Sequence, residues 1–186
     1  MKRTIFLAVS SLLFISLCLG CVTVPPSQDD PMEVLRTSTV ALDGTAIPID
    51  ADYILLYYAA DWCPYCIAYT EQLKSSYAAL KSLYGGSFDL IFVGHANDTS
   101  NEQLTAFLEA GGYPFTYLPI EKREATGVME LCGEARFYIP GLLLIDRTGK
   151  VLASSNGESI DDYLRDRPIY TLQNLKLQDC ASCQRE

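Results

Sequence analysis

The chain has 186 residues, of which 49% are hydrophobic, and its 14 Lys and Arg against 23 Asp and Glu give a formal net charge of −9. That length suits one domain with a full hydrophobic core. The acidic balance argues against a nucleic-acid-binding protein, because nucleic-acid phosphates attract the opposite charge.

The first residues have the pattern of an export signal. A basic start precedes a largely apolar run over residues 5–19, which is short for a membrane span, and we therefore predict a signal peptide over residues 1–20. Gly20 and Cys21 resemble the end of a bacterial lipobox, in which the cysteine is lipidated and becomes the mature N terminus. This resemblance implies an exported lipoprotein of the bacterial cell envelope, anchored by its lipid and facing the periplasm or the cell exterior. An ordinary cleaved signal or a retained anchor is the alternative.

Residues 21–36 are predicted to form a lipidated tether, because their early part is rich in proline and polar residues. A single domain is predicted over residues 37–177, followed by a C-terminal tail over residues 178–186. The domain opens with a hairpin signal, since Asp43 and Gly44 separate two short strand-like runs.

The chemistry is concentrated where the pattern changes from strand to helix. Residues 53–60 form a short apolar run typical of a buried strand, and residues 67–84 have apolar side chains at helical spacing. Cys63 and Cys66 therefore fall where a strand ends and a helix begins. The free amide groups and dipole of a helix start stabilise a negative charge by roughly 0.3–1 kcal/mol at an exposed position. Since the thiolate is the nucleophilic form of cysteine, this position predicts disulfide exchange.

The two cysteines have different predicted roles. Cys63 is expected at the helix cap with its sulfur facing solvent, and Cys66 is expected one turn further along, covered. Cys63 would attack a substrate disulfide, and Cys66 would resolve the mixed disulfide by attacking Cys63. Pro64 fits the first helical turn, where its missing N–H removes no hydrogen bond. An inert disulfide or half of a zinc site is the alternative for this pair.

The rest of the chain alternates strands and helices, which predicts an α/β fold with a mixed sheet flanked by helices. Strands are expected over residues 88–94, 115–118, 141–146 and 150–153. Helices are expected over residues 101–110, 122–131 and 160–177, the last of them broken at Pro168.

The run Ala60-Asp61-Trp62-Cys63-Pro64-Tyr65-Cys66 resembles the active-site segment of the thioredoxin superfamily. The resemblance covers roughly residues 53–177 and leans toward the tryparedoxin, nucleoredoxin and bacterial TlpA-like branch. It implies a thioredoxin-like fold and a cis peptide bond between Ile139 and Pro140, in a loop that faces the cysteines.

The same resemblance implies which residues contact the substrate. Ile139 would offer its backbone to an extended substrate segment, beside Pro140. Trp62, Pro64 and Tyr65 would complete the docking surface around the cysteines. No cofactor is expected, because the electrons pass between thiols.

Two features depart from the usual patterns of the superfamily. Tyr57 occupies the position at which thioredoxins carry a buried acid, so that proton transfer to Cys66 lacks this helper. Cys-Pro-Tyr-Cys is the glutaredoxin pattern, but the Gly-Gly-Asp segment that glutaredoxins carry after the proline strand is absent. Glutathione is therefore a disfavoured partner.

The other thiols and the single histidine are interpreted separately. Cys180 and Cys183 are expected to act as a second redox pair, to form a local disulfide that adds little stability, or to join the first pair as zinc ligands. Cys132 is interpreted as a small buried residue of a helix. His95 is interpreted as a solvated or hydrogen-bonded loop residue.

The sequence thus predicts a membrane-tethered, extracytoplasmic protein-disulfide oxidoreductase, with Cys63 as nucleophile and Cys66 as resolving thiol. Reduction of disulfides in exported proteins, with electrons from an upstream thiol donor, is the expected direction. The expected contact with the membrane is the N-terminal lipid, and no nucleic-acid partner is expected. The alternative is a zinc- or copper-binding thiol module that uses the CxxC pairs without turnover.

Overall fold

The computed structural model describes residues 30–133, 137–157, 159 and 161–183, with the backbone alone over residues 179–183. The predicted signal peptide, the lipidation site Cys21 and most of the predicted tether lie outside the described residues. The elements are α1 (Pro31–Thr37), β1 (Tyr53–Tyr58), α2 (Pro64–Tyr84), β2 (Phe88–Phe92), α3 (Asn101–Gly111), β3 (Thr116–Tyr117), α4 (Arg123–Thr126), β4 (Gly141–Asp146), β5 (Val151–Ser154) and α5 (Arg167–Cys183).

The described strands form one five-stranded mixed sheet in the order β3-β2-β1-β4-β5, which confirms the predicted α/β fold. The central strand β1 pairs in parallel with β2 and antiparallel with β4. Because β1 is covered on both faces, its sequence is a continuous apolar run rather than an alternating one. The strand predictions over residues 53–60 and 141–146 are confirmed to within two residues.

Successive side chains of β1 point to opposite faces of the sheet and enter two separate hydrophobic clusters. Leu55 and Tyr57 belong to the cluster that also contains residues of α2, α3 and α5. Leu56 and Tyr58 belong to the other cluster, together with Leu35 of α1. The strand is therefore fixed on both sides, and it holds the segment that follows its carboxyl end in place.

The domain begins earlier than the sequence predicted. Residues 31–36, assigned to the tether, lie in helix α1, which Asp30 caps by accepting a hydrogen bond from the Met32 amide. Leu35 is fully buried, and the Arg36 guanidinium donates to the carbonyl oxygens of Ile49 and Ala51 at 3.2 and 2.9 Å. The prediction was wrong because these partners lie beyond the helix itself, where no local pattern reveals them.

Two other predicted elements are shorter than expected. The hairpin around Asp43 and Gly44 is reduced to a single bridge between Val40 and Ala46, and Val40 also bridges to Tyr117 of β3. The helix predicted over residues 122–131 is the four-residue α4 followed by a 3₁₀ turn at Glu130–Cys132. Gly127, with a φ of 63°, ends α4, since a left-handed residue cannot continue a helix.

The C-terminal helix also differs from its prediction. It begins at Arg167 with Pro168 in its first turn, where proline is tolerated, rather than being broken at Pro168. It continues to Cys183, so that residues 178–183, predicted as a tail, extend α5.

Candidate active site

Cys63 is the N-cap residue of α2, at the strand-to-helix junction that the sequence predicted. Its Sγ accepts a hydrogen bond from the Cys66 amide at 3.2 Å, and Pro64 occupies the first helical position. The Cys63 thiol also makes a weak contact with the Ile139 carbonyl oxygen at 3.8 Å. The helix start thus directs an amide N–H at this sulfur, which is where disulfide exchange needs a stabilised negative charge.

The Ile139–Pro140 peptide bond is cis, as the resemblance implied, and its loop lies against Cys63. The Tyr138 amide donates to Asn156 Oδ1 at 2.9 Å, and the Tyr163 hydroxyl donates to the Pro140 carbonyl at 2.6 Å. Among the residues that the structure describes, nothing accepts a hydrogen bond from the Ile139 N–H. The loop is therefore anchored on both sides, and within the described part of the chain it leaves one backbone donor beside Cys63 unpaired.

Cys63 does not face bulk solvent, contrary to its predicted position. Its exposed fraction is only 4%, because the Ile139 loop covers it. Its side chain nevertheless lines a groove of about 660 Å³, together with Trp62, Tyr65 and Ile139. Access to Cys63 is thus through this groove, whose rim carries the exposed aromatic rings of Trp62 and Tyr65.

Cys66 is fully buried, as predicted. Burial raises the pKa of the Cys66 thiol well above its ordinary value, and its hydrogen bond with Cys63 raises it further. Cys66 is therefore held as a neutral thiol while Cys63 lines the groove. The two sulfurs have the different environments that a nucleophile and a resolving thiol require.

Tyr57 lies in the same cluster as Cys66, on the face of β1 beneath α2. Its hydroxyl is buried and has no hydrogen-bond partner among the described residues. The ring of Tyr113 is 6.1 Å away, and its hydroxyl, which donates to Thr70 Oγ1 at 2.8 Å, adds to the rise in the pKa of Tyr57. Burial raises the pKa of Tyr57 well above its ordinary value, so the phenol stays neutral at the position where thioredoxins carry an acid.

Two walls of the groove come from segments that the sequence did not connect with the site. One is the loop that carries His95, whose ring contacts Trp62 edge to face with the centroids 5.1 Å apart. The other contains Met129, Cys132 and Phe137. No sequence signal identifies these walls, because each reaches the site through the fold and not through a local motif.

Cys132 differs from its interpretation as a buried helical residue. It is half-buried, lies in a 3₁₀ turn, and its thiol contacts the Val128 carbonyl at 3.9 Å while lining the groove. Burial raises its pKa to about 11, so that it is a neutral thiol at pH 7.

A second groove of about 490 Å³ continues past Pro140 and is lined by Tyr65, Tyr138, Tyr163 and Arg165. Arg165 is engaged within the protein: its guanidinium stacks 3.9 Å from the centroid of the Tyr69 ring and forms an ion pair with Asp166 at 3.0 Å. The predicted docking residues thus surround two adjoining, mainly apolar grooves, which share Tyr65, Tyr138 and Ile139.

The remaining predicted site residues are not placed by the structure. Cys21 lies outside the described residues, and for Cys180 and Cys183 only the helical backbone of α5 is described. The described side chains contain no cluster of three or more His, Cys, Asp or Glu suited to a metal ion. That finding leaves the proposed four-cysteine zinc site untested. Over the described part of the chain, every helix is too short or too polar to span a bilayer.

Comparisons with known proteins agree with this geometry. A family model described as Thioredoxin-like matches residues 50–151. Probable nucleoredoxin 3 of Oryza sativa subsp. japonica is 32% identical over 132 residues, which cover 69% of this chain and 26% of that protein. Nucleoredoxin of Danio rerio is 29% identical over 123 residues, covering 64% of this chain and 27% of that protein. The chain therefore spans about a quarter of the length of these two relatives.

A solved structure gives the same fold. Native tryparedoxin I from Crithidia fasciculata matches with a TM-score of 0.54 and 20% identity, over 80% of this chain and 92% of that one. At this identity the likeness concerns the arrangement of strands and helices.

Proposed function

The chain belongs to the thioredoxin-like family, and from this premise we propose that it is a protein-disulfide oxidoreductase with Cys63 as nucleophile and Cys66 as resolving thiol. The observation that carries the proposal is the hydrogen bond from the Cys66 amide to Cys63 Sγ at the start of α2. This bond places the Cys63 sulfur, which carries the negative charge during the reaction, at a helix start whose free amide groups stabilise that charge. The groove over Cys63 supplies the path for a foreign disulfide.

The reaction proceeds by two exchanges. The Cys63 thiolate attacks one sulfur of the substrate disulfide, forming a Cys63–substrate bond and releasing the other substrate sulfur as a thiolate that takes up a proton. Cys66 then loses its proton and attacks Cys63, which forms the Cys63–Cys66 disulfide and releases the second substrate thiol. Two electrons have passed from the protein to the substrate, and an upstream thiol donor returns them.

The substrate we propose is an extended segment of a polypeptide. The Ile139 N–H, which has no acceptor among the described residues, offers a hydrogen bond to a main-chain carbonyl of the substrate, in the manner of an added β-strand. The groove around Cys63 is lined by Trp62, Tyr65 and Phe137, and no Lys or Arg is among its described lining residues. An apolar peptide fits this lining better than glutathione, whose carboxylates need cationic partners.

We also propose that the protein acts outside the cytoplasm, as a lipid-anchored reductase of exported proteins in the bacterial envelope. The support is the sequence pattern of residues 1–20 and the Gly20-Cys21 pair. If Cys21 carries the lipid, the Cys21→Ser variant moves from the membrane fraction to the soluble fraction of fractionated cells. Equal membrane association of both proteins would contradict the proposal.

Trapping tests the chemistry directly. The Cys66→Ser variant keeps the nucleophile but cannot resolve the mixed disulfide, so it should accumulate covalent complexes that dithiothreitol releases. The matched control, Cys63→Ser, keeps the buried thiol and should form none. Complexes that form equally with both variants, or with neither, would contradict these roles.

The direction of electron transfer between the protein and its substrate requires a separate measurement. A reductase requires a Cys63–Cys66 pair that is more reducing than the glutathione pool, so most of the pair should be oxidised at equilibrium with that couple. A pair that stays reduced against it would show that the protein works as an oxidant.

A further inference from the structure

His95 is held in the wall of the groove by contacts with the active-site segment. It lies in the loop after β2, and its ring meets Trp62 at an interplanar angle of 89° with the centroids 5.1 Å apart. Trp62 directly precedes Cys63, and all three residues line the same groove. The imidazole therefore belongs to the surface that a substrate of Cys63 has to pass.

Three of the four polar groups of His95 are occupied within the protein. Its amide donates to Asp98 Oδ2 at 2.6 Å, and its carbonyl accepts from Arg123 Nη1 at 3.1 Å. Its ring Nδ1 accepts a hydrogen bond from the Asn97 amide at 3.1 Å. Since Nδ1 is an acceptor, the neutral ring carries its hydrogen on Nε2. Within the described part of the chain, Nε2 has no partner, which leaves one oriented donor.

A buried ion pair fixes the loop that presents this donor. Arg123 and Asp98 lie 3.8 Å apart, with side chains only 8% and 7% exposed. Arg123 also donates to the carbonyl of Val93, so the loop is bonded before and after Gly94. Gly94 has a φ of 80°, and a Cβ there would come within 2.6 Å of both members of the pair. This packing pre-organises the loop, which distinguishes His95 from a freely solvated histidine.

We propose that His95 is a substrate-binding residue, whose Nε2–H donates a hydrogen bond to an oxygen atom of the polypeptide that occupies the Cys63 groove. This inference rests on the proposed function and adds a specificity-determining residue to it. An extended polypeptide presents a carbonyl oxygen at every residue, and the Ile139 N–H binds only one of them. A second fixed donor in the same groove favours a peptide over a small disulfide that lacks such acceptors.

The test compares a protein disulfide with a small one. Insulin serves as the polypeptide substrate, with dithiothreitol to reduce the oxidised protein again, and cystamine, whose ammonium groups accept no hydrogen bond, serves as the small disulfide. His95→Phe keeps an aromatic ring against Trp62 but removes the donor, so the KM for insulin should rise roughly fivefold with little change in kcat, as expected for one hydrogen bond. His95→Gln restores a side-chain N–H and should lie near the wild type. In His95→Phe the rate with the small disulfide should fall less than the rate with insulin, because the small substrate offers His95 no acceptor.

The outcomes separate the two proposals. If His95→Phe has the KM of the wild type for insulin, the inference is wrong while the function stands. If His95→Phe and His95→Gln lose activity on both substrates to the same extent, His95 acts by holding the loop, which also overturns the inference. If the reduced wild type reacts with neither disulfide, the proposed function itself fails.

Discussion

Two neighbouring tyrosines of β1 allow a direct test of how a buried hydroxyl group, with or without a hydrogen bond, affects the stability of this protein. Tyr57 and Tyr58 point to opposite faces of the sheet, and both are buried, with exposed fractions of 0% and 2%. The Tyr58 hydroxyl donates to the Val128 carbonyl at 2.6 Å. The Tyr57 hydroxyl has no partner among the described residues. Tyr57→Phe and Tyr58→Phe therefore remove the same atom from two different hydrogen-bonding environments.

The expected changes have opposite signs. Tyr58→Phe removes a hydrogen bond and leaves the Val128 carbonyl without that donor, which costs about 1–3 kcal/mol of unfolding free energy. Tyr57→Phe removes a polar group that is buried without compensation, a burden of about 1–3 kcal/mol in protein mutational data. A small void replaces the oxygen and offsets part of the gain, so we expect Tyr57→Phe to be more stable than the wild type by about 1 kcal/mol.

Urea unfolding of the reduced proteins at 25 °C measures both changes. The midpoint should rise for Tyr57→Phe and fall for Tyr58→Phe, with the same slope m for all three proteins, since the surface exposed on unfolding is nearly unchanged. A thermal melt should show a shift of about 2–4 °C per kcal/mol for a chain of this size. If Tyr57→Phe lost as much stability as Tyr58→Phe, its hydroxyl would have to be satisfied in the native protein, and the reasoning would be refuted.

Two further predictions concern titration and buried charge. Burial raises the pKa of Cys66, so the folded reduced protein keeps the Cys66 proton at pH values at which the unfolded chain has lost it. The unfolding free energy of the reduced protein should therefore fall as the pH rises above about 8.5, by up to about 1.4 kcal/mol per pH unit. Urea titrations at pH 7–9.5 should show a smaller decrease of the unfolding free energy with pH for Cys66→Ala than for the wild type. Some decrease should remain, because burial also raises the pKa of Cys132, to about 11. Asp98→Asn keeps an acceptor for the His95 amide but leaves the buried Arg123 charge unpaired, and should lower the unfolding free energy by about 3 kcal/mol. A loss as small as that of a surface charge variant would show that the backbone carbonyls alone satisfy Arg123.

The parts of the site that the sequence predicted are those that depend on short local sequence patterns. The apolar run at residues 53–60 followed by helical spacing at residues 67–84 was sufficient to place Cys63 at a helix start. The cis bond at Pro140 followed from the family resemblance together with the apolar strand after it. The first depends only on contiguous residues, whereas the second also required the family resemblance.

The parts that it missed depend on contacts between distant segments. The burial of Cys63 results from the Ile139 loop, 76 residues away in the chain. The contact of His95 with Trp62 depends on an ion pair whose members come from the loop after β2 and from α4. Tyr163, which fixes the proline loop through the Pro140 carbonyl, carries no local signal for that role. Such pairings become visible only when the sheet order is known.

The contacts of helix α1 determine at which end of β1 the described chain enters the domain. Arg36 bonds the carbonyls of Ile49 and Ala51 just before β1, and Met32 lies against Gly149 in the turn between β4 and β5. These contacts are at the amino end of β1, whereas Cys63 follows its carboxyl end, about 20 Å away for a six-residue strand. The described chain therefore enters the domain at the amino end of β1, opposite the groove, where Asp30 lines a surface pocket with Asp50 and Arg147.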